Sequence, residues 1–150
     1  MPQSLSSILI HLVFSTKNRQ PLITETIESE LFQDLGGIFR NCKCPSLLIG
    51  GDQDHIHTLF ALSRNCSIAE LVREIKSSSS KWLKGKGDEF QHFQWQTGYG
   101  AFSIGQSGVE ELKHYIANQK IHHRRTSFED EFRLLCRKYK VEIDERFVWD

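Results

Sequence analysis

Nowhere in the chain does an apolar run reach the length needed to cross a bilayer, and residues 1–7 hold no basic segment followed by an apolar stretch and cleavage site. These absences lead to the expectation of a soluble, cytoplasmic protein without a membrane partner. Cysteine is sparse: Cys42, Cys44, Cys66 and Cys136 form no C-x-x-C pair and no regular framework, so they read as reduced, small apolar residues. An excess of one charge is missing too. Lys+Arg and Asp+Glu number 19 each, so a polyanionic partner must be argued from where the basic residues fall. There is no internal repeat, and the serines at 77–80 are too few for a low-complexity segment. What is present, 150 residues with 39% apolar and 25% charged, suffices for one compact domain with a core.

The apolar run at 8–14 is rich in β-branched and large aliphatic residues and closes on Ser15-Thr16-Lys17-Asn18, which predicts a buried strand. Behind Thr24, a candidate N-cap, the residues Ile27, Leu31, Leu35, Ile38 and Phe39 recur at helical spacing and predict a helix to about residue 41. Apolar runs at 46–50 and 55–62, separated by Gly51-Asp52-Gln53-Asp54, predict an antiparallel hairpin. Ser67 and Glu70 form a capping box for a second helix, whose buried face carries Ile68, Leu71, Val72, Ile75, Trp82 and Leu83. After a loop at 84–89, residues 94–104 alternate, with Trp95, Thr97, Tyr99 and Ala101 on one side, and predict a fourth strand.

The resulting order β-α-β-β-α-β is the ferredoxin-like, or RRM-like, α+β arrangement: an antiparallel sheet backed by two helices on one face. An addition follows it. Gly105-Gln106-Ser107-Gly108 is a flexible connector, residues 109–123 carry a helical pattern, and a last helix runs from 127 to about 139, before an acidic tail. Residues 1–150 therefore read as one domain, with the core at about 1–104, the connector at 105–108 and the helical segment at about 109–150.

Within the predicted hairpin, Asp54-His55-Ile56-His57 places both imidazoles on one face of a strand, so their nitrogens converge. Such a pair supplies half of a site for a divalent metal, or is a pair of hydrogen-bonded histidines on a sheet face. Tyr115 and Gln119, four residues apart on the penultimate helix, stack on one side, with Gln119 at the edge of the Val109, Leu112, Ile116 stripe. Coordination through the Gln119 carbonyl oxygen, or a hydrogen bond to backbone, would satisfy the amide. Basic residues gather in two places: Arg64, Arg73, Lys76, Lys81, Lys84 and Lys86, with Trp82, Phe90, Phe93 and Trp95 nearby, and Lys113, Lys120, Arg124 and Arg125. Charge next to stacking surface suits single-stranded nucleic acid; a solvated helix face over core aromatics is the competing reading.

Taken in order, His11-Leu-Val-Phe-Ser-Thr-Lys17, Asp54-His55-Ile56-His57, Tyr99-Gly-Ala-Phe-Ser103 and Tyr115-Ile-Ala-Asn-Gln119 followed by His122-His123 resemble the single-tyrosine HUH transposases of small insertion sequences and their REP-associated relatives. The resemblance spans nearly the whole chain. It implies Tyr115 as the nucleophile, a divalent metal, Mg²⁺ or Mn²⁺, held by His55, His57 and Gln119, and no nucleotide cofactor. It also implies single-stranded, hairpin-containing DNA as substrate, a 5′-phosphotyrosine intermediate, and a homodimer whose active sites can be composite. Arg73, Lys76, Lys81, Lys84, Arg124 and Arg125 are the expected DNA contacts, with His11, His122 and His123 as auxiliary groups near the tyrosine. Thr58 stands where relatives often carry an aliphatic residue, and its side chain is expected to point away from the metal. Two rival functions stay open at this point: a non-catalytic single-stranded nucleic-acid-binding module, and a metal-dependent phosphoesterase that activates water instead of a tyrosine.

Overall fold

The computed structural model describes residues 2–150; Met1, first residue of the amino-terminal stretch read above, lies outside them. Four strands, β1 (Leu9–Ser15), β2 (Ser46–Asp52), β3 (His55–Ala61) and β4 (Gly100–Ile104), form one sheet in the order β2-β3-β1-β4, with every neighbour antiparallel. Helix α1 (Glu25–Asn41) joins β1 to β2, and α2 (Ile68–Lys84) joins β3 to β4, which is the ferredoxin-like connection.

Strand β1 lies in the interior of the sheet and is covered on both sides, which is why its sequence runs apolar without alternation. Ile10, Leu12 and Phe14 join Ile56 and Phe60 of β3 in a core closed by α1 and α2 through Leu31, Leu35, Leu71 and Ile75. The opposite parity belongs to the other face. There Val13 and Phe102 pack against Phe128, Phe132 and Cys136, while Leu59 packs against Val109 and Ile116. That second cover is made by α3 (Val109–Ala117), the short α4 (Gln119–His122) and α5 (Phe128–Lys138). The addition to the ferredoxin-like core is thus the lid of its second sheet face.

The structure corrects four local expectations. The fourth strand is confined to Gly100–Ile104. Upstream of it, the chain meets the end of β1 through a bridge between Thr16 and Trp95, and the half-buried Lys76 ammonium draws in the carbonyls of Gln96 (2.7 Å), Thr97 (3.3 Å) and Gly98 (2.5 Å) and bends the backbone away. The predicted helix at 109–123 breaks at Asn118, whose Nδ2 donates to the His114 carbonyl at 2.7 Å and whose backbone leaves helical geometry (φ −104°, ψ 21°). In the hairpin, β2 extends through Asp52, so the turn is shorter than the four polar residues suggest. At the start of α1, the Thr24 hydroxyl meets that of Thr26 (3.0 Å) instead of capping the helix. Ser67, by contrast, accepts from the Glu70 N–H at 3.1 Å, and Ser127 caps α5 through the Asp130 N–H at 3.1 Å. Among the described residues, no helix is long and apolar enough to cross a membrane.

Candidate active site

The period of two along β3 sends Ile56 into the α1/α2 core and both His55 and His57 to the opposite face, where each is fully buried. Thr58, of the same parity as Ile56, donates to the Leu48 carbonyl at 3.2 Å and takes no part in the histidine cluster. Close approach of α3 is set by Gly50 of β2: a Cβ there would lie 2.6 Å from the Ile116 carbonyl oxygen, so only glycine lets the helix settle this near the sheet. Tyr115, next to Ile116, is thereby held edge-on to His57 with ring centroids 5.7 Å apart. Gln119, buried at the start of α4, reaches the same spot, and its Oε1 lies 2.9 Å from His55 Nε2.

The centre of the cluster is a residue that the sequence reading passed over. Glu131 of α5 is 2% exposed. Its Oε1 accepts from His57 Nε2 (2.9 Å) and His123 Nε2 (3.0 Å), and its Oε2 accepts from the Tyr115 hydroxyl and from Gln119 Nε2 (3.0 Å). A signal for it existed. Phe128, Phe132, Leu135 and Cys136 trace the apolar stripe of α5, and position 131 falls inside that stripe, where an acid has no reason to be unless it is paired.

The outer nitrogens of the two strand histidines are also held. His55 Nδ1 is 2.7 Å from Asp54 Oδ1, and His57 Nδ1 is 2.8 Å from His11 Nε2. Fixing the outer nitrogen aims Nε2 of each ring inward, the arrangement that metal-binding imidazoles use. His11, buried on β1, is therefore a support for His57, and its ring also stands edge-on to Tyr115 at 6.4 Å. The His122 ring lies 5.5 Å from that of the tyrosine, with a buried Nε2 that has no hydrogen-bond partner and stands 3.5 Å from Glu131 Oε2.

Electrostatics follow from burial and from Glu131. Burial pushes the His57 pKa down to about 4, against the pull of the Glu131 carboxylate. Burial, with His57 beside it, lowers His11 to about 3. For Glu131 itself, burial acts to raise the pKa, yet hydrogen bonds from His123 and His57 outweigh it and hold the carboxyl well below its usual range. Tyr115 is raised above an ordinary phenol, by burial first and then by the neighbouring Glu131 charge. Burial tends to lower His123, but its hydrogen bond to Glu131 carries the net shift upward.

The donor set suits a divalent cation. His55, His57, His123 and Glu131 each present one ligand atom, and these atoms all lie within 4.8 Å of one another. Hydrogen-bond accounting supports the fit. Both ring nitrogens of His55 face oxygens, Asp54 Oδ1 and Gln119 Oε1, although a neutral imidazole has one N–H to give. Turning the Gln119 amide over relieves His55 but sets the amide oxygen against Glu131 Oε2. A cation on His55 Nε2 removes the mismatch with the amide as placed, leaving the His55 Nδ1–H for Asp54 and the Gln119 amide N–H for Glu131 Oε2.

Access to the tyrosine comes from a cavity of roughly 330 Å³ lined by His11, Ser103, Ser107, Tyr115, Lys138 and Tyr139 among others. The expected DNA contacts divide between the two sides of the molecule. Arg124 and Arg125 are exposed directly after His122 and His123, on the side of the site. Arg73, Lys81 and Lys84 are exposed on α2, which covers the other sheet face. Lys76, on the same helix, is half-buried and its ammonium is spent on three backbone carbonyls.

Residues 4–119 match the family of IS200-like transposases, a span that takes in the whole sheet, both histidines, Tyr115 and Gln119. The chain belongs to that family. It is a transposase, an enzyme acting on DNA. Two solved structures share its fold. One is a transposase from Deinococcus radiodurans R1, with a TM-score of 0.62 and 18% identity over 77% of this chain and 93% of that one. The other is a REP-associated tyrosine transposase bound to a REP hairpin, with a TM-score of 0.61 and 15% identity over 81% of this chain and 71% of that one. No curated protein matches this transposase in sequence. His122, His123 and Glu131 all lie beyond the matched residues.

Proposed function

We propose that this transposase cuts and rejoins single-stranded DNA through a 5′-phosphotyrosine on Tyr115, at hairpin-bearing ends of an insertion sequence or repeat. The observation that carries the reading is the Tyr115 hydroxyl, delivered by α3 onto the face where His55, His57 and Gln119 converge. The hairpin substrate is taken from the relative of like fold that was solved on a REP hairpin. In the forward step the Tyr115 oxygen attacks the phosphorus, and the Oη–P bond forms as the P–O3′ bond breaks. The phenolic proton passes to Glu131 Oε2, its hydrogen-bond partner, and a proton from solvent completes the free 3′-hydroxyl. The ester conserves the energy of the broken bond, so rejoining by the reverse step requires no nucleotide cofactor.

His55, His57 and Gln119 are the proposed holders of a divalent metal, Mg²⁺ or Mn²⁺ in the expectation from the family. When bound, the metal polarises the phosphate and stabilises charge on its oxygens. Burial first, and then the Glu131 charge, raise the Tyr115 pKa above that of an ordinary phenol. The raised phenol marks Tyr115 as a group that needs a proton acceptor in contact with it, and Glu131 is that contact.

We take residues 1–150 as one working unit, because a group of α5 stands in the site formed on the sheet, and we carry the homodimer and a cytoplasmic, nucleoid-associated setting as parts of the same proposal. The tyrosine helix packs on the histidine pair of its own chain, which supports a site formed within one subunit, and exchange of that helix between subunits of the homodimer is the alternative. The experiment is incubation of labelled hairpin-bearing single-stranded DNA with protein and Mn²⁺, followed by denaturing electrophoresis. Wild type is expected to give a covalent adduct, and Tyr115→Phe none, with DNA binding retained. Bound but uncut DNA, cutting without an adduct, or an undiminished adduct in Tyr115→Phe would each reject the assignment.

A further inference from the structure

We propose that the metal centre is completed by the C-terminal segment: His123 and Glu131 join His55 and His57 as ligands, and Glu131 links the metal to the nucleophile. The inference rests on the metal site proposed above and changes its composition. The two oxygens of one carboxylate face different groups. Oε1 lies 2.9 Å from His57 Nε2, 3.0 Å from His123 Nε2 and 3.7 Å from His55 Nε2. Oε2 faces the Tyr115 hydroxyl and Gln119 Nε2. Metal–nitrogen and metal–oxygen bonds of about 2.1 Å set tetrahedral ligand atoms roughly 3.4 Å apart and octahedral ones roughly 3.0 Å apart. The three separations around Oε1 already fall in that interval or within about 0.3 Å of it, on bond lengths of this size. With all four ligand atoms within 4.8 Å of one another, an ion here would replace the hydrogen bonds from His57 and His123 with coordinate bonds while Oε2 keeps Tyr115.

The donors also state a preference. Three imidazoles and one carboxylate suit Mn²⁺, Co²⁺ or Zn²⁺, whereas Mg²⁺ prefers oxygen ligands and retained waters. Gln119 becomes a bridge that donates to Glu131 Oε2 instead of a ligand. Because His123 and Glu131 fall outside the family match at 4–119, this part of the centre is a property of the segment that closes the second sheet face.

The test is metal binding, read apart from DNA cleavage. Calorimetric titration of the full chain should show Mn²⁺ and Zn²⁺ binding at least about tenfold more tightly than Mg²⁺. Glu131→Gln and His123→Ala should each weaken Mn²⁺ binding by about 100-fold or more, beyond what loss of a supporting residue costs, and Gln119→Ala by less than about tenfold. On the unmodified protein, Zn²⁺ should shift the imidazole nitrogen resonances of three histidines, His55, His57 and His123, which needs no variant to fold. Shifts at His55 and His57 only, unchanged or tighter Mn²⁺ binding in Glu131→Gln, or a larger loss in Gln119→Ala than in Glu131→Gln would overturn the inference. Adduct formation distinguishes the two proposals. If His123→Ala binds Mn²⁺ as wild type does and still forms the adduct, this ligand set is wrong and the tyrosine mechanism stands. If three histidines take the metal and no adduct forms, the reverse holds.

Discussion

His57 and His11 share a buried contact and both have pKa values far below an ordinary histidine, about 4 and about 3, because burial disfavours the imidazolium. In the unfolded chain each titrates near ~6.5. As pH falls below that value, the unfolded state takes up protons that the native state refuses, so stability declines through the window down to about 4 for His57 and about 3 for His11. Each uncompensated proton makes the slope up to about 1.4 kcal/mol per pH unit. Glu131 adds to the loss, since its depressed pKa confers stability that is present above the usual carboxylate range and disappears in acid. His123 acts in the opposite sense: its raised pKa gives stability below ~6.5 that is lost as pH rises through the folded value, a partial offset. The net expectation is a metal-free melting temperature that falls from pH 7 to pH 5, with a shallower fall in His11→Asn. A flat profile over that interval would contradict the buried, neutral state of the two rings. At this scale the sequence was generous with positions and silent about partners. The alternation around Ile56 places His55 and His57 together, whereas the contacts from His11 and Asp54 depend on strand register and on a rotamer, which no local pattern encodes.

Among the elements, the approach of α3 to β2 is the contact on which the tyrosine's position depends. A methyl group on Gly50 would meet the Ile116 carbonyl oxygen at 2.6 Å and its Cγ2 at 2.7 Å, and a helix backbone cannot turn aside as a flexible side chain does. Gly50→Ala is expected to destabilise by about 1–3 kcal/mol, in line with overpacking elsewhere, and to lower adduct yield more than tenfold by lifting Tyr115 from the histidines. Gly98→Ala, with nothing within 4 Å of the added carbon, is the matched control and should stay within about 0.5 kcal/mol of wild type. Urea midpoints and adduct yields measured on both variants check the pair. Element order was legible because each core element carries its own period: continuous apolar residues for β1, 3.6 for α1 and α2, and turn residues between β2 and β3. The start of β4 and the break at Asn118 were not. The first is decided by an ammonium reaching across from α2, and the second by a side chain competing for a backbone carbonyl. Glu131 lies between these cases, since an acid inside the apolar stripe of α5 was visible in the sequence, whereas its partners on β3, α3 and α4 were not.

For the whole molecule, the neutral total charge conceals an arrangement on two sides. The C-terminal segment is pinned to the ferredoxin-like core by Arg19, which pairs with Glu129 at 3.2 Å and donates to the Trp149 carbonyl at 2.9 Å, and by Asp150, which accepts from the Thr97 N–H at 3.3 Å. That segment carries Arg124 and Arg125 beside the histidines, while Arg73, Lys81 and Lys84 ride on α2 across the sheet. On the proposed mechanism, DNA brought to Tyr115 approaches the side that carries the first pair. It reaches the second group only by wrapping around the edge of the sheet. Alanine at both Arg124 and Arg125 is therefore expected to weaken binding of a hairpin with a single-stranded flank about tenfold or more, and the triple change Arg73, Lys81 and Lys84 to alanine less than about threefold. Salt dependence supplies the internal check. Each lost contact to a single-stranded phosphate should flatten the plot of log affinity against log salt by about 0.7, so the arginine pair should change the slope and the α2 triple should leave it almost unchanged. The opposite ranking would place the DNA along α2 and would require the strand to turn around the β4 edge before reaching the tyrosine.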